Sequence, residues 1–220
     1  MKFSFRQFIV PNLRKRLAFM LPAVILMGFF ISLLIEVDWG IDPASFMNLN
    51  ISHAIGLSLG NTGVIVYGLM LIFTFIFGHY MIGFGTIANM VLIGYTADFC
   101  RWIWATTGFH EFIQDGVFEI RLAIFIISIV SFVITAAIYM NAQLGIAPYD
   151  ASAAIIAKWM PKIPYFIVRI TWDFATVGIG VVAAQFSPDG MQGSLIGSIV
   201  MSILIGPAVQ LIEKPLKKIL

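Results

Sequence analysis

Leu144-Gly145-Ile146-Ala147-Pro148-Tyr149-Asp150 and, a hundred residues earlier, Trp39-Gly40-Ile41-Asp42-Pro43 are the two stretches that decide how this chain folds. Both contain Gly-Ile-x-Pro. A glycine leaves the backbone free to turn, and a proline two residues on suits the first turn of a new helix. Each break is followed by a short segment, 43–59 in one case and 149–160 in the other. The second of these stops at Pro161 and at 1.5 Å per residue covers only about 18 Å.

Outside the breaks the chain is almost continuously apolar. Of its 220 residues 60% are hydrophobic and 11% charged, and the mean hydropathy is +0.97. Soluble domains run at roughly 45–50% apolar and about 25% charged. A water-soluble fold of this composition would expose more apolar surface than monomers tolerate. The apolar runs are long and do not alternate, which indicates membrane helices over a barrel. Six segments can cross a core of roughly 30 Å: 17–37, 62–78, 85–104, 120–141, 164–185 and 193–212.

A second match follows the first. Gly85-Thr86-Ile87-Ala88 through Gly94 recurs as Gly197-Ser198-Ile199-Val200 through Gly206. The order is the same in each half: long helix, break, short helix, long helix, small-residue helix. Two matches in order indicate duplication, with repeat 1 over 17–105, a polar linker over 106–119 and repeat 2 over 120–213. We therefore expect one membrane domain over 1–220, an all-α polytopic bundle of six long and two short helices. If neither short helix crosses, the halves are inverted and the linker lies outside. If both cross, there are eight spans, parallel halves and an inside linker. Arg101 and Arg121, which would then also be cytoplasmic, slightly favour eight, but helix length favours six, which we expect.

Basic residues cluster at the chain ends: Lys2, Arg6, Arg14, Lys15 and Arg16 before the first run, Lys214, Lys217 and Lys218 after the last. Such clusters mark the cytoplasmic side, so both termini are expected there. The first run is too long for a signal-peptide core and reads as an uncleaved span. The net charge of +2 gives no reason to expect nucleic acid. The single Cys100 allows no internal disulfide.

At the second break, and again at Gly83-Phe84-Gly85-Thr86 with Asn89, Gly94 and Asp98, the chain resembles the bacterial YczE/YyaS/YitT family of integral membrane proteins. That family's turn reads Gly-Leu-Gly-x-x-Pro-Trp-Asp. Here Tyr149 replaces the tryptophan and Asp150 is kept, whereas the first copy has Ala44 and Ser45 at the matching places. The resemblance covers about 33–210. It implies a bacterial cytoplasmic-membrane protein with a transport role.

Charged side chains inside a bilayer are candidates for function. Asp150 stands first, beside the break, where it can cap the short helix or bind a proton or cation. Tyr149 precedes it. Arg169 and Asp173, spaced i, i+4, share one helix face and can form a structural pair or a protonatable relay. Asp98 and Arg101 end their segment at the interface. Glu36, Asp38 and Asp42 read as solvated boundary acids. Asn89 sits mid-segment and can bridge helices. Gly40, Pro43, Gly145 and Pro148 form the structural breaks. His110, Glu111 and Asp115 form a solvated linker. No metal-ligand spacing, phosphate loop or catalytic triad is present, so neither a cofactor nor enzymatic chemistry is expected. The chain reads as a small-molecule transporter or exporter, with a non-transporting scaffold or sensor as the alternative. Its partners are the lipid bilayer and a small-molecule substrate, and its size is compatible with a homodimer.

Overall fold

The computed structural model describes Phe8 and residues 10–216. Lys2, Arg6, Lys217 and Lys218 lie outside the described residues, as does the side chain of Lys214. The described residues form α-helices and no strand: α1 (Leu13–Val37), α2 (Pro43–Ile55), α3 (Leu59–Gly78), α4 (Phe84–Thr107), α5 (Phe109–Gln114), α6 (Phe118–Asn141), α7 (Pro148–Trp159), α8 (Tyr165–Ala184) and α9 (Leu195–Leu216). A 3-10 turn over His79–Met81 extends α3. Four helices are long and apolar enough to cross a membrane: α1, α3 with its turn, α6 and α8. The protein is a polytopic helical membrane protein.

Helix ends follow local chemistry. The Asp42 carboxylate caps α2 by accepting from the Ser45 N–H at 3.1 Å, and Pro43 sits at the first helical position. Gly56, left-handed with φ 68°, ends α2. No atom lies within 4 Å of where its Cβ would be, so Gly56 terminates a helix and is not part of a packing face. Pro148 opens α7 in the same way as Pro43 opens α2. Helix α9 runs through Gly206 and Pro207 to Leu216 without a break. The linker carries one short helix, α5.

Two cross-chain contacts orient the bundle. At the start of α1, the Arg16 guanidinium donates to the Ala142 carbonyl at 3.0 Å, beyond the end of α6. At the end of α1, the Val37 carbonyl accepts from Arg121, in the first turn of α6, at 2.8 Å. Helices α1 and α6 are thus antiparallel, and they form one of the main packed pairs of the bundle.

Neither short helix traverses the bundle. The turn before α2 packs at the end of α1, where Gly40 meets the backbone of Gly197 at the start of α9. The far part of α2 stays at that end, because Asn50 accepts from the Gln192 N–H at 2.9 Å and His53 meets Asp189 at 3.1 Å, both in the loop before α9. Helix α7 mirrors this at the opposite end. Its leading turn is held by the Gly85 N–H on the Leu144 carbonyl (2.7 Å), and the Trp159 ring at its far end meets Phe77 at 5.0 Å. At 13 and 12 residues, both helices are shorter than the roughly 20 needed to span.

Candidate functional site

Both breaks open onto one cavity of about 300 Å³. It is lined by Asp42, Pro43, Ala44 and Ser45 from the start of α2, and by Ala147, Tyr149 and Asp150 from the start of α7. Helices α1, α3, α4, α6, α8 and α9 complete the wall, with Met27, Tyr67, Asn89, Phe132, Arg169 and Val209 among their contributions. The N-termini of two helices therefore face a common space. Unpaired N–H groups at such ends carry partial positive charge, and here each end holds an acid: Asp42 as the cap of α2, Asp150 in the first turn of α7.

The charged centre lies on one side. Arg169 pairs with Asp150 across α7 and α8, and with Asp173 one turn along α8 at 3.2 Å. The Tyr149 hydroxyl donates to the other Asp173 oxygen at 2.5 Å and lies 3.0 Å from the Thr176 hydroxyl. The Arg169 guanidinium also sits 5.0 Å from the centre of the Tyr149 ring. Asp173 is buried and Asp150 is partly accessible from the cavity. A buried ion is tolerable when its partners satisfy it, and this network satisfies Asp173 from two directions.

Asp42 is different. One oxygen takes the Ser45 N–H, while Oδ2 is buried and has no hydrogen-bond partner among the described residues. It lines the cavity within electrostatic reach of Asp150 and of Tyr67 on α3.

Of the residues singled out from sequence, Tyr149, Asp150, Arg169 and Asp173 come together, and Asn89 lines the same cavity. Arg169 does not snorkel away from the cavity, because two carboxylates hold it there. Asp98 lies elsewhere: its two oxygens accept from the Leu59 N–H (3.1 Å) and the Gly60 N–H (2.8 Å), capping the start of α3. Asp42 and Tyr67 were not anticipated as site residues. The signal for Asp42 was its place just before a helix-opening proline. Tyr67 offered only a hydroxyl in the middle of an apolar run.

A second polar group also departs from expectation. Glu36 is buried, not solvated. Its carboxylate meets Arg101 at 3.3 Å and His110 on α5 at 2.5 Å, while Gln114 donates to its carbonyl at 2.7 Å. These contacts strap the linker to the end of α1.

A family model described as "Family of unknown function (DUF6198)" matches residues 14–214. The chain belongs to that family. The match takes in both breaks and every residue of the cavity described above. A curated relative in Bacillus subtilis (strain 168), "Uncharacterized membrane protein YczE", is 26% identical over 194 residues, covering 87% of this chain and 82% of that protein. No solved structure matches the chain. The family description names no substrate, so the chemistry of the cavity must come from its residues.

Proposed function

We propose that this family member is a small-molecule carrier of a bacterial cytoplasmic membrane, built from two duplicated, inverted halves. The observation that carries the reading is that two non-crossing helices, one from each half, begin at the same cavity. Interrupted segments in corresponding places of two halves are the strongest sequence-level pointer to a transporter site, and irregular backbone at membrane depth is tolerated where it lines a cavity.

The packing supports duplication. The start of α4 sits on the second break through Gly85 and Leu144, and the start of α9 sits on the first break through Gly197 and Gly40. Likewise α2 packs on α8 while α7 packs on α3, and α1 packs on α4 while α6 packs on α9. Exchanging the halves leaves this pattern unchanged. The antiparallel α1 and α6 make the exchange an inversion.

Charge supports the orientation. Arg14, Lys15 and Arg16 at the start of α1 lie at the same end as Lys158, which sits over the Tyr80 ring at 4.3 Å after α3. That end takes the cytoplasmic side. The exposed lining side chains, Met140 and Tyr165, also lie toward it, at the end of α6 and the start of α8. The cavity is therefore inward-open.

A carrier must also expose the cavity outward. Ala136 lines it from the last third of α6 and is buried. In a Cys100→Ala background, Ala136→Cys should react with a membrane-impermeant thiol reagent applied from either face. Reaction from one face only, or from neither, would favour a scaffold that does not alternate.

A further inference from the structure

We propose that the cavity takes a small organic cation with an apolar body, and that Asp42 is its counter-ion. This deepens the carrier reading and rests on it.

Three carboxylates line the cavity, Asp42, Asp150 and Asp173, against one guanidinium, Arg169. Arg169 pairs with both Asp150 and Asp173. Among the described residues, no lysine or other arginine lines the cavity. The protein thus offers Asp42 no cation, and its Oδ2 is left buried with no partner among the described residues. An unsatisfied buried oxygen in a native fold calls for an explanation, and one beside an inward-open cavity is explained by a ligand that supplies the missing charge.

The two facing helix ends would otherwise favour an anion. Asp42 and Asp150 already occupy them, so the positive ends are answered from within the chain. An anion would have to displace a carboxylate from Arg169 and still face Asp42.

The rest of the wall is apolar or aromatic. Met27, Ile31 and Phe132 are buried side chains with no hydrogen-bonding demand. The Tyr149 ring already carries Arg169, whereas Tyr67, near Asp42, presents the phenol ring of the first half. A cation is favoured over an aromatic face, and more so when desolvated. A cavity of this size lies at the small end of ligand pockets. A bare inorganic cation would need several oxygen ligands in a shell. Asp42 with one buried free oxygen, beside methionine, isoleucine and phenylalanine, is suited instead to an ammonium group on a hydrocarbon body.

The test compares three probes of nearly equal shape, benzylammonium, benzyl alcohol and benzoate, binding to the purified full-length protein at neutral pH by titration calorimetry. The expected order is benzylammonium first, benzyl alcohol weaker by about tenfold or more, and benzoate undetected. This comparison needs no variant. Asp42→Asn then removes the charge but keeps an oxygen for the Ser45 N–H, since asparagine also caps helices well. It should lower benzylammonium to the level of the alcohol without changing the alcohol. Equal binding of all three probes, no binding, a preference for benzoate, or an Asp42→Asn variant that still prefers the cation would overturn the assignment. Thiol accessibility of position 136 is read separately. A cation preference with one-sided access leaves the site standing and removes the carrier, whereas two-sided access without a cation preference removes this inference alone.

Discussion

Replacing Arg169 with methionine tests whether the charged centre is a matched unit. The substitution keeps an unbranched apolar stem and deletes the only cation shared by Asp150 and Asp173. Removing one partner of a buried pair costs about 3–5 kcal/mol, because the other is left charged and uncompensated. The two strandings do not add. Asp150, 29% exposed, can take up water from the cavity, whereas Asp173, 7% exposed, cannot. Asp173 retains the Tyr149 hydroxyl at 2.5 Å, which limits the loss from below. We therefore expect a single-site cost of about 3–5 kcal/mol, not twice that. Neutralising all three groups, as Arg169→Met with Asp150→Asn and Asp173→Asn, should cost less than Arg169→Met alone, because no charge is then stranded. Reversible unfolding of the purified protein in mixed detergent micelles reads both numbers. A triple variant as unstable as Arg169→Met would refute the matched-unit account.

Further outcomes follow from the packing. Asp98→Ala removes both acceptors at the start of α3 and should cost about 1–2 kcal/mol in the same unfolding assay, while Asp98→Asn keeps one and should cost less. Gly197→Ala would place a methyl group on the Trp39 carbonyl, at a contact made by two backbones. It should destabilise by about 1–3 kcal/mol or more, with a matching drop in folded yield on size-exclusion chromatography. Glu36→Gln loosens the strap on α5. Because Arg101 and His110 are substantially exposed, the stability cost should be only about 1 kcal/mol, but limited proteolysis should cut the linker faster.

The long helices were legible because each is an apolar run of spanning length. α3 begins at Leu59, three residues before its predicted start at Thr62, since Gly60 and Asn61 dilute the pattern; the Ser58 hydroxyl caps it by accepting from the Asn61 N–H at 3.2 Å, and the Asp98 carboxylate from α4 takes the Leu59 and Gly60 N–H groups. α5 was not legible, for six residues carry no periodicity. Within the site, the i, i+4 spacing of Arg169 and Asp173 was readable on one helix. The partnership of Arg169 with Asp150 was not, because it depends on how α7 docks on α8. Asp42 and Glu36 were misread for one reason. Acids at the end of an apolar run are usually solvated, but Asp42 faces the cavity it shares with the second break and Glu36 is covered by the linker helix. Tyr67 had no local signature, since its place on the cavity wall depends on how α2 and α3 pack within the first half.

The account stands on two inverted halves that enclose one cavity, and the most direct test is the sidedness of the two ends of α1. Lys15 is exposed at its start, and Asp115 is exposed just past the α5 helix that packs on its end. Single cysteines at Lys15 and at Asp115, each in a Cys100→Ala background, should be labelled by a membrane-impermeant thiol reagent from opposite faces, Asp115 from outside in intact cells and Lys15 only after permeabilisation. Labelling of both from the same face would mean that the halves run parallel, and the inverted arrangement of the breaks around the cavity would be wrong.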